Sequence, residues 1–246
     1  MCLTKSFKKC ILKIHYFKEK IEMNLILSII YLILTFTLTV LCYKYFGKVG
    51  LFIWICLLIV MANIQTIKIS DFFGFSLSLG NIVYAGIFLS TDILNQKYGK
   101  KSAETSVKLS FIVMIAFTIL MYIFLYFIPN AYDTSQNSLE AIFNIMPRIA
   151  IASLLAYFTS QFVDIHIFDK LKQKYNKIWL SNNASTIIGQ TLDTIIFVSV
   201  AFIGILPFNE VIEIIITMLV IKFIITIADT PFMYLANSIK KVKEIE

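Results

Sequence analysis

The sequence predicts an all-α, polytopic transmembrane helical bundle with seven spans, and three observations carry that prediction. Apolar residues make up 59% of the 246 positions and charged residues only 15%, with a mean hydropathy of +0.82. Ordinary soluble domains hold roughly 45–50% apolar and about 25% charged residues, and a chain this poor in polar groups cannot clothe a globule. The apolar residues also fall in runs approaching the roughly 20 residues that a hydrocarbon core of about 30 Å demands. Finally, those runs lack the alternation of a β-barrel. Composition therefore excludes a soluble enzyme, a disordered chain and a nucleic-acid-binding domain. The formal charge of +7 sits in lysine clusters between apolar runs.

The spans are expected at 24–43, 49–67, 72–91, 107–128, 148–168, 186–206 and 211–234. The third, from Phe72 to Thr91, is rich in Gly and Ser and is the least regular; Pro129 closes the fourth and Pro207 follows the sixth. Lysines ahead of the first run suggest a signal peptide. The run is longer than an h-region and no small-x-small cleavage site follows, so a retained helix is expected. No Ser/Pro/Gly-rich linker interrupts the chain, which reads as one integral membrane domain over 1–246.

Short loops set the orientation through their Lys and Arg. Lys97, Lys100, Lys101 and Lys108 follow the third span, Lys170, Lys172, Lys174 and Lys177 the fifth, and Lys240, Lys241 and Lys243 the last. Loops 129–144 and 206–210 hold neither residue. The lysine-rich loops and the C-terminus are therefore expected in the cytoplasm, and seven spans then place the N-terminus outside. Lys5, Lys8, Lys9, Lys13, Lys18 and Lys20 argue for the opposite. Two arrangements resolve this: a peripheral or re-entrant first helix with both ends inside, or, as we favour, translation from Met23, which removes those lysines.

An ionisable side chain at the centre of a span costs about 2.5–3.5 kcal/mol on insertion scales, so each one marks a candidate site. Asp92, Arg148, Asp164, Asp193, Lys222 and Asp229 lie in or near spans, with Asn81, Gln161 and Gln190 as neutral companions. Asp193 is about 10 Å along its helix from Thr186, and Lys222 is too deep to snorkel easily. They form either a mutual ion pair or a ligand contact. Gln161 with Asp164, and Gln190 with Asp193, repeat a Gln-x-x-Asp spacing that puts amide and carboxylate on one helix face. An amide donates and accepts while a carboxylate only accepts. Such a pair suits a planar heterocycle presenting an N–H/NH2 edge beside a carbonyl.

Other features read as structural. Tyr157, Phe158, Phe162, Phe197 and Phe202 suit core or lipid contacts, Trp179 an interfacial anchor, and Ala152, Ala156, Ser76 and Gly80 close helix packing. Arg148, near the outer surface, suits snorkelling. Neither His166 nor the four cysteines, Cys2, Cys10, Cys42 and Cys56, has the spacing of a metal site or a disulfide framework. No Walker A loop, HExxH or GxSxG motif occurs, so neither catalysis nor a cofactor is expected.

Several segments together resemble a known family. They are Ser90, Thr91 and Asp92 followed by Tyr98, Gly99 and Lys100; the run from Arg148 to Ser153 with Ala156 and Tyr157; and Gln161 to Phe168. They continue with Trp179 and Leu180, Ala184 to Thr186, and Gly189 to Thr194. In order and spacing the chain resembles the queuosine precursor transporters, vitamin-uptake-transporter-like integral membrane proteins of bacteria, over residues 51–235. The resemblance implies a six-helix core, with residues 1–50 adding a basic segment and an extra helix and 236–246 forming a tail. It implies uptake across the bacterial inner membrane of 7-deazaguanines such as preQ0 or preQ1, with queuine a further candidate. Asp92, Arg148, Gln161, Asp164, His166, Ser185, Gln190 and Asp193 become candidate binding or gating residues by motif. Lys222 joins them on the membrane-cost argument. Such a chain works alone, by proton coupling or facilitated diffusion, or as the substrate-binding subunit of an energy-coupling ATPase module. A ligand-binding membrane subunit that moves nothing is the remaining alternative.

Overall fold

Hydrocarbon cannot satisfy a free N–H or C=O, so apolar runs in a membrane close their hydrogen bonds within helices. The computed structural model describes the backbone of residues 2–72, 75–143, 147–204 and 207–240, and their side chains apart from 2–22, 69, 71–77 and 147–150. In order the elements are α1 (Cys2–Gln65), β1 (Ile69–Phe72), β2 (Phe75–Ser78), α2 (Gly80–Tyr98) and α3 (Lys100–Leu125). There follow α4 (Gln136–Phe143), α5 (Pro147–Tyr175), α6 (Ile178–Phe202) and α7 (Phe208–Ser238). The fold is that of an all-α polytopic membrane protein carrying one short hairpin. Five helical stretches among the described residues are long and apolar enough to span: Met23–Gln65, α3, Ile151–Tyr175, α6 and α7.

The first of these stretches is two limbs. Gly47 takes φ 58° and ψ −133°, a left-handed conformation that glycine enters without the penalty a Cβ would bring, and the chain reverses there. Tyr31 Oη donates to Gln65 Oε1 at 2.9 Å, and Trp54 Nε1 donates to Thr39 Oγ1 at 2.8 Å. Both pairs are nearly symmetric about Gly47, so the limbs run antiparallel over the same height. This places the break between the first and second expected spans. The lysines before Met23 lie outside the described side chains.

The third expected span needs correction. Ile69–Phe72 and Phe75–Ser78 pair as antiparallel strands in the register Ile69 with Ser78 and Phe72 with Phe75, and helix begins only at Gly80. The physical reason is local: Phe75, Ser76, Leu77 and Ser78 alternate apolar with polar, a strand period. The helix that follows, α2, is too polar to qualify as a span by composition, yet most of it is buried, from Gly80 to Asn95. Contacts with α1, α3, α5 and α7 surround it. Helix α6 likewise starts eight residues before its expected beginning at Thr186, bringing Asn182 and Ser185 into the bundle.

The bundle is apolar outside and polar within. Ile26, Ile30, Ile112, Leu120, Ile216 and Ile224 are exposed, whereas Thr39, Thr91, Asn95 and Ser110 are buried. Apart from Lys68 beside the hairpin and the buried Lys222, the described lysines gather at one end. Lys44 and Lys48 flank the Gly47 turn. Lys97 of α2 donates to the carbonyls of Asn237 at 2.7 Å and Ile239 at 2.8 Å, and Lys172 of α5 donates to those of Asn95 at 3.1 Å and Gln96 at 2.9 Å. These ties put cations on the carbonyl ends of α2 and α7, where the helix dipole favours them.

Candidate functional site

Helix α6 carries the frame of the site. Asn182, Ser185, Thr186, Gly189, Gln190 and Asp193 recur at alternating steps of three and one, which places them on one helical face, and all are buried. Gly189 allows the closest approach. A Cβ there would stand 3.0 Å from Asp164 Cβ on α5 and 3.0 Å from Phe88 Cε1 on α2. This apolar contact separates two polar layers.

The layer away from the lysines is built on a charge pair. Lys222 Nζ on α7 donates to Asp193 Oδ2 at 2.7 Å, with the residues only 3% and 6% exposed. Tyr84 Oη on α2 donates to Asp193 Oδ1 at 2.8 Å, and Ser160 Oγ on α5 lies 3.5 Å from the same oxygen. The ammonium also sits 5.7 Å from the centre of the Tyr84 ring, within range for a cation–π contact. Asp193 thus has partners from three neighbouring helices. Asp193, Lys222 and Tyr84 line a cavity of about 70 Å³ with Asn81, Asn63 and Phe197. A cavity of about 500 Å³ adjoins it between α1, α3, α4 and α5, sharing Asn63, Thr66 and Ser153. Its walls are Ile64, Met114, Ile119, Phe143 and similar residues with no charged group. The charged groups that face a cavity are therefore those of the smaller one.

The layer toward the lysines is acidic. Asp92, Asp164 and Asp229 are 0%, 0% and 1% exposed. Thr186 Oγ1 donates to Asp92 Oδ2 at 3.2 Å, and Asn182 Nδ2 donates to Asp229 Oδ1. The carboxyl of Asp164 lies beside that of Asp92 and near the hydroxyls of Ser185 and Thr186. Neither Asp164 oxygen makes a hydrogen bond, nor does Asp92 Oδ1. Gln161 accepts from Thr91 at 3.2 Å while its own Nε2 has no acceptor.

Both layers fall inside a stretch with known relatives. Residues 78–236 match the family described as "Putative vitamin uptake transporter". The chain belongs to that family. It is 40% identical over 212 residues to the "Probable queuosine precursor transporter" of Bacillus subtilis, covering 85% of this chain and 93% of that one. It is 33% identical over 132 residues to the "Queuosine precursor transporter" of Escherichia coli, covering 52% of this chain and 57% of the other. A Haemophilus influenzae protein named "Probable queuosine precursor transporter" is 32% identical over 130 residues, 53% of this chain and 54% of its own. No solved structure matches. The chain is a multi-pass membrane transporter, and its relatives carry the names of transporters rather than enzymes.

In this family member the structure brings most of the expected residues together, in two groups. Asp193 and Lys222 meet in one layer; Asp92, Asp164 and Ser185 meet in the other. Gln190 is buried between neighbours on α6, its Oε1 without a donor. His166 faces away: its side chain is 46% exposed, with Nδ1 on the Phe162 carbonyl at 2.7 Å and Nε2 3.8 Å from Glu104. The Arg148 side chain lies outside the described residues. Sequence reasoning missed Tyr84, Ser160 and Asn182. Asn182 was legible as the first member of the α6 stripe. Tyr84 stands four and eight residues before Phe88 and Asp92, on the same face of α2.

Proposed function

We propose that the chain imports queuosine precursors, 7-deazaguanines such as preQ0 and preQ1, into the bacterial cytoplasm, and that it does so without an ATPase partner. The observation that carries the reading is the buried Asp193–Lys222 pair in the small cavity. A deazaguanine edge presents a ring N–H and an NH2 beside a carbonyl oxygen. Asp193 accepts the two donors as a parallel pair, and Lys222 donates to the carbonyl. Without substrate, the two side chains satisfy each other and Tyr84 holds the second carboxylate oxygen. Binding then exchanges one set of charge-assisted hydrogen bonds for another, so no bare charge is left in the bundle. Gln190 lies on the same face of α6, three residues before Asp193. Asp92, Gln161, Asp164 and Ser185 belong to the deeper layer.

Direction follows from the lysines. Their accumulation at one end of the bundle marks that end as cytoplasmic, which leaves the small cavity in the opposite half, toward the source of substrate. The Lys97 and Lys172 ties to backbone carbonyls hold α2 to α7 and α5 to α2 at the lysine end.

The test is complementation in a bacterium unable to make or import queuosine precursors, lacking energy-coupling ATPases and equipped to use each compound supplied. Expression restores queuosine in tRNA, read by gel shift, and Asp193→Asn at matched membrane abundance does not. Wild-type uptake in Asp193→Asn removes that residue from recognition. No restoration by the native chain removes the stand-alone importer.

A further inference from the structure

The acidic layer has no role in the recognition just described, and its chemistry is the more demanding of the two. Three carboxyls from α2, α5 and α7 share a buried region. The ion pairs of the described residues lie elsewhere, with Lys222 on Asp193 and with Lys100 and His166 on Glu104. Asp229 is the titratable group facing the Asp92–Asp164 contact from α7. Helix α6 offers only hydroxyls and amides there, through Ser185, Thr186 and Asn182. Among the described residues, no charged side chain of α1 or α3 acts on the contact.

Two ionised carboxylates are acceptors only and cannot bond to each other. Asp164 nevertheless lies against Asp92 with both oxygens unpartnered and fully buried, and Asp92 Oδ1 is unpartnered as well. One proton turns this contact from like-charge repulsion into an O–H donor facing an acceptor. A metal ion fits less well, because no three His, Cys, Asp or Glu among the described residues converge as a metal site. A proton is the ligand that satisfies these atoms with the least rearrangement.

We infer that the Asp92–Asp164 pair is a proton-binding site and that each substrate crosses together with a proton carried there. The inference rests on the transport reading above and supplies its driving force. The proton joins a carboxylate oxygen of the pair while the bundle is open toward the small cavity. It leaves to water on the lysine side once the Lys97 and Lys172 ties release, and it returns the pair to its starting charge. The Gly189–Phe88 contact keeps this site apart from Asp193, so substrate and proton occupy separate layers of one bundle.

The experiment uses the purified full chain in proteoliposomes with the membrane potential clamped at zero and labelled preQ0 as probe. Exchange of labelled for unlabelled preQ0 without a gradient tests transport itself. A pH gradient, acid on the side that supplies substrate, is then expected to raise the final concentration ratio about tenfold per pH unit for one proton per substrate. In Asp92→Asn and Asp164→Asn the final ratio falls to unity whatever the rate of approach. Exchange in the wild type with a ratio of unity under the gradient overturns proton coupling and leaves the transport reading standing. Absence of exchange overturns the transport reading instead. The proton site is then decided by infrared spectroscopy of the wild type at neutral pH. A protonated-carboxyl C=O band lost in Asp164→Asn but kept in Asp229→Asn supports it, and a spectrum without such a band overturns it.

Discussion

The two polar layers are equally buried and differ in what faces the carboxylates. Asp193 meets an ammonium, a phenol and a serine hydroxyl. Asp164, on the other side of Gly189, meets another carboxyl and two nearby hydroxyls, and no cation among the described residues. Burial alone therefore says little about what an intramembrane charge does. A compensated charge holds the helices together and waits for a substrate that can replace its partners. In the proposed cycle the uncompensated one is the group that takes up the proton.

The comparison is broken most severely at Lys222. Lys222→Met leaves Asp193 charged and unpaired in the bundle, and removing one member of a buried pair costs about 3–5 kcal/mol. A lowered unfolding temperature in detergent is the expected result. Adding Asp193→Leu should recover most of the loss without restoring uptake. A double variant as unstable as the single one would mean the two side chains do not neutralise each other.

The acidic layer should behave in the opposite way. Asp164→Asn removes a carboxyl that has no hydrogen bond to lose and gives Asp92 an amide donor. Its unfolding midpoint is expected at or above the wild-type value, with a change within about 1 kcal/mol, in the range of mild substitutions. A loss as large as that of Lys222→Met would show that the two layers are held in the same way. The smallest effect is expected at His166, whose contact with Glu104 is exposed. His166→Ala should change stability by less than about 1 kcal/mol and leave uptake at the wild-type level. A strong uptake defect would bring this residue back into the mechanism.

Much of the fold was legible because membrane insertion writes long apolar runs, and the lysine clusters between them label one end. The paired spacing of Gln161 with Asp164 and Gln190 with Asp193 correctly put both members of each pair on buried faces. What escaped was local or depended on neighbours. The hairpin over 69–78 is shorter than the window in which helical periodicity is read, and its aromatic residues pass for the start of a span. Helix α2 was cut short at Thr91 because Asp92, Asn95 and Gln96 look like a loop; they are helical because α5, α6 and α7 supply polar partners that hydrocarbon does not. Tyr84 gave no signal by type, since a lone tyrosine becomes a site residue only when Asp193 arrives 109 positions later in the chain. His166 fits a motif by position while its neighbours on α5 turn it outward.

The hairpin also serves as a depth gauge. A two-stranded ribbon leaves the outer edge of each strand with backbone groups that hydrocarbon cannot satisfy, so Ile69–Ser78 belongs at the water boundary. Helix α2 descends from there at about 1.5 Å per residue, which places Tyr84 about 6 Å and Asp92 about 18 Å below Gly80. Against a hydrocarbon thickness of about 30 Å, Tyr84 stands about one helical turn from that boundary, while Asp92 lies past the midpoint along the same helix. One helix thus touches both layers, through Tyr84 close under the water boundary and through Asp92 about two turns further down.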